Sequence, residues 1–352
     1  MVVRTAALAA VLLVGAHGCA ATRCVASARH VARLTALRGG SVVPAIQSGT
    51  YEYNGFVCAF RRKAAAAGFE TRPPVLLVHP VGIGLSSWFW DQFLDAWVGS
   101  ELLVPDLIGC GASEEWQPLK KGLFVPLDWV RGLEALWRAE IQRPMVVLSQ
   151  GGLAPLAIQL AARQTDTWRG DLAVCGLVLA SPPEWQSLST GSSQEEVMKN
   201  YGQLEATLGS PSALGTLAYR ALCARPFVQL FSSVFLYGEE RDDFEGFVDA
   251  CCENARPERR WPVIAFNAGM VGQRGLEDEL LSLQQPTLVL IGNAKGKPLV
   301  DGGRDFEERM RNCKLRGLQG RNVLPWESAP ETCDAVRGFV ADLPDGTTTT
   351  LE

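Results

Sequence analysis

Short apolar runs bounded by proline, glycine or polar residues recur along the chain and alternate with segments of helical spacing. Runs of this length and composition predict buried β-strands. Five such strands are predicted: Pro74–Val78, Leu102–Val104, Pro144–Leu148, Gly176–Ala180 and Pro286–Ile291. Apolar residues at helical spacing predict helices over Trp129–Glu140 and Leu153–Arg163. Continuously apolar strands that alternate with helices are typical of an α/β fold, in which a mostly parallel, doubly wound sheet is covered on both faces.

Residues 184–282 break this alternation, because they contain helical patterns with no strand between them. We predict a helical cap inserted above the carboxyl edge of the sheet, where ligands bind in open α/β sheets. Its aromatic residues suit an apolar ceiling over a pocket, although apolar residues at helical spacing commonly serve packing alone. The pocket candidates are Trp185, Phe231, Phe235, Trp261 and Phe266. We expect the α/β core to comprise residues 46–183 and 283–343, and we expect residues 344–352 to be a disordered tail.

The first 45 residues have the composition of a targeting leader. Residues 1–20 combine a short basic start with an apolar run, Thr5–Ala16, which is typical of a signal peptide and too short to span a bilayer comfortably. Residues 21–45 are rich in Ala, Arg and Ser and contain no acid, since the first acidic residue is Glu52. A signal peptide followed by such a transit-like segment resembles the two-part plastid leader of algae with complex plastids. We therefore predict a plastid location, with simple secretion as the alternative.

Composition and charge exclude several other classes of function. The chain has 352 residues and a net charge of -5, without a basic stripe, so we expect no nucleic-acid partner. Its 10 cysteines are scattered, with no C-x-x-C pair and no Cys/His cluster at ligand spacing. We therefore predict neither a disulfide scaffold nor a zinc site, and no metal or other cofactor. The phosphate-binding motif of nucleotide hydrolases is missing as well.

Four blocks in the second part of the sequence resemble one known family. His79–Gly84 resembles an H-G-x-x-G loop, Asp106–Ser113 resembles D-x-x-G-x-G-x-S, and Ser149–Gly152 resembles a nucleophile elbow. Gly320–Pro330, "GRNVLPWESAP", resembles a C-terminal G-H-x-P-x-x-E-x-P segment. In this order the blocks are similar to those of the α/β-hydrolase superfamily, and the resemblance covers nearly everything after residue 50. The amino-acid sequence of these blocks is most similar to a branch of α/β-hydrolase-like proteins from cyanobacteria and plastids.

The resemblance implies a set of positions for hydrolytic chemistry. A serine hydrolase of this fold needs a nucleophile on a strained strand-to-helix turn, two oxyanion donors, a histidine base and an acid that orients it. Ser149 matches the nucleophile, and the backbone N–H groups of Val81 and Gln150 match the oxyanion donors, with Gly151 beside them as a further ligand contact. Val147, however, puts a β-branched side chain where the elbow usually has glycine.

The base and the acid of the triad do not match. The protein has 3 histidines, two of which lie in the predicted leader. Alignment on the prolines of "VLPWESAP" places Val323 at the triad histidine, and Lys297 stands where the family offers its acid. A serine without a base stays a poor nucleophile. His79 is the remaining candidate base, and it would have to approach Ser149 Oγ to about 2.6–3.2 Å.

Three functional hypotheses follow. The first is a plastid protein of this fold with a degraded triad, which binds or transforms an apolar metabolite (a lipid, pigment or isoprenoid) by non-classical chemistry and can associate with thylakoid or other membranes. The second is a weak carboxylic-ester hydrolase that uses Ser149 with an unorthodox base. The third is a non-catalytic scaffold or interaction protein.

Overall fold

The computed structural model describes residues 45–167, 173–210, 213–237, 242–293 and 299–343. The predicted leader, apart from Ala45, and the predicted tail lie outside the described residues. Lys297 lies outside them as well.

The centre of the fold is an eight-stranded sheet with the strand order β1-β2-β4-β3-β5-β6-β7-β8. β1 and β2 are antiparallel to each other and β2 is antiparallel to β4, whereas the pairs from β4 to β8 are parallel. The mostly parallel α/β architecture predicted from the sequence is confirmed. The strands are β1 Ile46–Tyr53, β2 Phe56–Lys63, β3 Val75–Val78, β4 Leu102–Pro105, β5 Met145–Gln150, β6 Val174–Ala180, β7 Thr287–Gly292 and β8 Cys313–Leu318.

The five predicted strands correspond to β3 to β7, with ends that differ by one or two residues. Strands β1 and β2 were not predicted, although Asn54-Gly55 between them carries the signal of a two-residue hairpin turn. Both turn residues have positive φ, 48° at Asn54 and 72° at Gly55, which is the conformation that Asn-Gly favours. β8 was also not predicted, because this edge strand exposes half of its residues and lacks a continuous apolar run.

Helices cover the two faces of the sheet. Val147 of β5 packs in the core on one face, with Leu153 and Leu156, and Val146 and Leu148 pack on the other. Because each fully buried Val or Leu contributes about 1.5–3 kcal/mol, the central strands anchor both layers. The helices outside the segment between β6 and β7 are α1 Asp91–Ala96, α2 Leu127–Leu136, α3 Ala154–Thr167, α11 Leu299–Arg309, α12 Leu324–Glu327 and α13 Ala329–Asp342.

The segment between β6 and β7, residues 181–286, contains helices and turns wherever it is described; we call it the insertion. The backbone of the insertion approaches the loop after β3 closely. A β-carbon at Gly84 in that loop would overlap the carbonyl oxygen of Cys251. The helices of the insertion are α4 Trp185–Thr190, α5 Gln194–Leu204, α6 Ala213–Leu222, α7 Arg225–Phe231, α8 Asp242–Asn254, α9 Arg260–Ala268 and α10 Glu277–Ser282.

Three further observations concern only the part of the chain that the structure describes. Within it, no helix combines the length and the apolar character needed to cross a membrane. The cysteines in these ranges form no disulfide bond with one another. No group of three or more His, Cys, Asp or Glu side chains there could hold a metal ion.

Candidate functional site

The turn that follows β5 has its strained residue at Gly151. Gln150 is the last residue of β5 and is extended, with φ −105° and ψ 127°. Gly151 has φ +60° and begins a short 3-10 turn that continues into α3 at Ala154. Glycine adopts this left-handed conformation without the steric cost of a β-carbon. The chain therefore changes direction from strand to helix at Gly151.

Ser149 lies within β5, two residues before the turn. It pairs in register with Val78 of β3 and with Leu179 of β6, so strands on both sides hold it in the extended conformation. The placement of Ser149 on the strained turn, predicted from the sequence, is therefore wrong. The cause is the length of β5, which continues through Gln150 although its apolar run ends at Leu148.

Ser149 is enclosed in the sheet, and its hydroxyl makes no hydrogen bond within the described structure. The side chain is 0% exposed, and among the described residues its Oγ has no hydrogen-bond partner. A nucleophile needs both an approach path for substrate and a base that takes its proton. Ser149 has neither in this geometry.

The space above the turn is open at one glycine and closed at the next. A β-carbon built on Gly151 would have no described atom within 4 Å. A β-carbon on Gly152 would lie 2.5 Å from Cζ of Phe266, so the ring of that insertion residue rests on the turn. A side chain at position 151 would therefore enter free space, which is how the family presents its nucleophile at the top of the sheet.

The loop between β8 and α12 lies against this turn. Nε2 of Gln150 donates a hydrogen bond to the carbonyl oxygen of Asn322, and Nδ2 of Asn322 donates to the carbonyl oxygen of Phe235, 2.5 Å away. Glu327 accepts hydrogen bonds at Oε2 from the backbone N–H of Arg321 (2.8 Å) and of Val323 (3.3 Å). The loop is thus held from both ends, while Val323 itself is buried and offers no proton acceptor.

His79 serves the backbone. Its Nδ1 lies 2.8 Å from the carbonyl oxygen of Pro80, and its Nε2 accepts the N–H of Leu107 at 3.0 Å. These partners assign the proton to Nδ1 and leave no ring nitrogen for a serine. Burial lowers the pKa of His79, against the opposing effect of the Asp106 carboxylate. The approach of His79 to Ser149 Oγ that the base hypothesis requires is not observed.

Asp106 completes the same structural network. Its Oδ1 accepts the N–H of Ser87 at 2.7 Å, and its Oδ2 accepts the N–H of Ala112 at 2.8 Å. Gly111 permits this enclosure, because a β-carbon there would overlap the carboxylate. We call His79, Asp106 and their backbone donors the His79–Asp106 network; it joins the loops after β3 and β4.

The predicted pocket residues do not share one location. The ring of Trp185 is buried against Phe306 of α11, 5.4 Å between ring centroids. Phe231 and Phe235 pack on each other at 5.0 Å, and the ring of Trp261 packs over Gly209 inside the insertion. Of the five candidates, Phe266 alone contacts the turn through its side chain, as far as the described contacts show. The other four were predicted at the pocket from their aromatic character, which does not reveal where a side chain points in the fold.

The predicted oxyanion donors, Val81 and Gln150, take different places relative to the turn at Gly151. Val81 is buried in the loop after β3, as the sequence suggested. Since the turn residue is Gly151, the residue that follows it is Gly152, and the predicted donor Gln150 precedes the turn instead. Gln150 uses its side chain to hold the loop after β8, and its Oε1 is buried without a partner among the described residues. A sequence signal for Gly151 existed: of the residues in "LSQGGL", only the glycines accept positive φ without cost.

Two cavities lie away from the turn. One, of about 720 Å³, is lined by α3 and by the segment from Arg274 to Ser282. The other, of about 860 Å³, lies between the β1–β2 hairpin, the loops after β3 and β4, and residues 254–263 of the insertion. Neither is lined by Gln150 or Gly151.

The sequence and the fold were compared with known proteins. Residues 75–336, more than half of the chain, match the model described as the alpha/beta hydrolase family. No curated protein matches the sequence significantly. Among solved structures the fold is similar to three bacterial enzymes, at identities that support the fold alone. These are the proline iminopeptidase of Mycobacterium smegmatis (TM-score 0.58, 16% identity, 84% of this chain and 98% of that chain), a thermophilic esterase from Thermogutta terrifontis (0.58, 18%, 84% and 98%) and a loop variant of a haloalkane dehalogenase from Bradyrhizobium elkanii (0.57, 19%, 84% and 97%).

Proposed function

The chain belongs to the alpha/beta hydrolase family, and from this premise we propose that it binds a small apolar molecule at the turn after β5 and has lost the hydrolytic triad of the family. The observation that carries the proposal is Gly151. It has the positive φ and the open space that the family reserves for a nucleophile, yet it bears no side chain. Covalent catalysis at this turn has no reacting atom.

The loop after β8 supports the same proposal. At the position aligned with the triad histidine stands Val323, which cannot accept a proton. Asn322 beside it has its amide nitrogen and its carbonyl oxygen engaged by Phe235 and Gln150. The position aligned with the acid, Lys297, bears a positive charge at neutral pH.

An apolar ligand is supported by the character of the side chains near the turn. The ring of Phe266 rests on Gly152, and Val81 and Val323 stand at two positions that hold catalytic parts in the family. Pockets lined by such groups, with a few backbone donors, bind ligands mainly through the burial of apolar surface. The proposed ligand is therefore a neutral lipid, pigment or isoprenoid, and its polar end would meet the backbone N–H groups of the turn.

The leader composition adds a location to the proposal. The signal-like and transit-like segments of residues 1–45 support delivery to a plastid, where such metabolites and membranes to associate with are abundant. A fusion of residues 1–45 to a fluorescent protein tests this part, and secretion of the fusion would contradict it.

A binding experiment tests the apolar site with a matched control. Gly151→Leu places a side chain in the open space, and Gly68→Leu carries the same backbone strain, since Gly68 has φ +86° and nothing within 4 Å of its β-carbon. Titration with the neutral fluorophore N-phenyl-1-naphthylamine, displaced by phytol, should give binding that weakens about tenfold or more in Gly151→Leu only. Equal affinity in the two variants would contradict the proposal.

A second experiment tests the loss of hydrolytic chemistry. A fluorophosphonate probe, which labels activated serines, should leave the wild-type chain unlabelled at Ser149. Labelling of Ser149 at the rate of an ordinary esterase, abolished in Ser149→Ala, would establish the ester-hydrolase hypothesis instead.

A further inference from the structure

The cavity of about 860 Å³ beside the β1–β2 hairpin has the composition of an anion site. It is lined by three arginines, Arg61, Arg256 and Arg259, and by one carboxylate, that of Asp106. Its volume lies in the range of small-molecule sites, about 300–1,000 Å³. We call it the arginine groove.

Among the described residues, two of the three guanidinium groups have no carboxylate partner. Arg61 pairs with Asp91 at 2.7 Å, which neutralises its charge. In the described part of the chain, Arg256 donates to the carbonyl oxygens of Glu253 and Ala255, and Arg259 donates to that of Ser113. Carbonyl oxygens orient these side chains and leave their positive charges uncompensated.

Arg256 and Arg259 are close in the chain and line the same groove. Arg256 is extended and precedes the 3-10 turn Pro257–Arg259, and Arg259 ends that turn. Two like charges at one groove repel each other, and an anion bound between them would relieve that repulsion.

The loop after β3 adds two serines to the lining of the groove. Ser86 and Ser87 are each 6% exposed. Ser86 stands at the start of the 3-10 turn Ser87–Trp90, and its side chain does not cap that turn. A serine hydroxyl is a hydrogen-bond donor that suits an anion.

The single carboxylate of the groove is already occupied. Both oxygens of Asp106 accept backbone N–H groups, of Ser87 and of Ala112. Its charge is therefore directed at the loops, and an anion would bind toward the arginine side of the groove.

From this arrangement we propose that the arginine groove binds a phosphate group, either of a small phosphate ester or of a lipid headgroup. The guanidinium groups of Arg256 and Arg259 keep further N–H donors beyond those that bind carbonyl oxygens, and Ser86 and Ser87 add two hydroxyls. This number of donors suits the three terminal oxygens of a phosphate monoester better than the two oxygens of a carboxylate. The site is separate from the turn at Gly151, so this inference does not depend on the apolar ligand.

The test is calorimetric titration of the full chain with glycerol 3-phosphate at low salt. Saturable binding is expected, and Arg256→Gln/Arg259→Gln should weaken it about tenfold or more, since each charge-assisted hydrogen bond is strong. The matched control is Arg311→Gln/Arg316→Gln, which removes the same charge from exposed residues outside the groove. If Arg259→Gln disturbs folding, as judged from the melting temperature, Arg256→Gln alone serves as the test, because Arg256 donates to the nearby carbonyl oxygens of Glu253 and Ala255.

A hydroxyl variant separates a built site from general attraction to charge. Ser86→Ala/Ser87→Ala leaves every charge in place and should weaken binding several-fold. Unchanged affinity in this variant, equal losses in both arginine doubles, or the lack of saturable binding would each overturn the proposal.

Vesicles identify the source of the phosphate. Binding to phosphatidic acid vesicles that depends on Arg256 and Arg259, with none to phosphatidylcholine vesicles, would support a lipid headgroup. Binding of glycerol 3-phosphate without vesicle binding would support a small soluble ester.

Discussion

The His79–Asp106 network and the turn after β5 lie at the same edge of the sheet, and they differ in how their polar atoms are used. In the network both nitrogens of His79 and both oxygens of Asp106 have backbone partners. In the last two residues of β5, directly before the turn, Oγ of Ser149 and Oε1 of Gln150 are buried without partners in the described structure. The polar side-chain atoms of His79 and Asp106 thus all have hydrogen-bond partners, whereas two buried polar atoms beside the turn after β5 have none in the described structure.

The difference indicates which parts of the family motifs hold the fold. Buried polar groups that are fully paired rigidify a structure, whereas unpaired ones cost free energy. The loops after β3 and β4 depend on their paired polar residues. The backbone of the turn after β5 depends on the positive φ of Gly151, and that of the loop after β8 depends on the hydrogen bonds of Glu327.

The largest effect is expected at Asp106. Asp106→Ala leaves the N–H groups of Ser87 and Ala112 unpaired in a buried site, so we expect a loss of about 2–5 kcal/mol in the free energy of unfolding, measured in urea. Asp342→Ala is the control, because Asp342 pairs only at the surface with Lys314 at 3.9 Å and should change little. Equal stability of the two variants would contradict the claim that the hydrogen bonds of Asp106 hold the fold.

Two buried serines sharpen the comparison directly. Oγ of Ser113 accepts the N–H of Ala59 at 2.9 Å and donates to the carbonyl oxygen of Asp106 at 2.6 Å, whereas Oγ of Ser149 has no partner in the described structure. Ser113→Ala should therefore destabilise the protein by about 1–3 kcal/mol, and Ser149→Ala should be neutral or slightly stabilising. A destabilising Ser149→Ala would reveal a bond that this geometry does not contain. Both are measured by denaturant unfolding.

The smallest effect is a dependence on pH that comes from His79. Burial lowers its pKa below 6.5 in the folded chain, while the unfolded chain takes up a proton near 6.5, so acidification favours unfolding. The stability from neutral His79 is complete above that value and is lost progressively as the pH falls below it, which is measured as the free energy of unfolding at pH 7.5 and at pH 5.5.

His79→Gln provides the control for this pH dependence. It should be less stable than wild type at pH 7.5 and should lack this part of the slope. Parallel stability profiles for wild type and variant across that range would contradict the assignment.

The sequence predicted the parallel centre of the sheet well, because β3 to β7 are continuous apolar runs between turn residues. It missed β8 because an edge strand with one exposed face lacks such a run. At the site it placed Val323 at the position of the triad histidine, and the loss of the base there stays a prediction, which follows because valine cannot accept a proton. It misplaced the turn by two residues because composition does not reveal that neighbouring strands hold Ser149 and Gln150 extended.

The contrast between Gly84 and Gly151 has a consequence for the natural variation of this protein. Both glycines have positive φ, but at Gly84 a side chain would also overlap the backbone of the insertion, whereas at Gly151 it would enter free space. Selection for folding alone therefore fixes position 84 and leaves position 151 free to drift toward asparagine or aspartate, which tolerate that backbone. If glycine at position 151 is invariant among related genes, that invariance would indicate selection for a molecule that occupies the space above it.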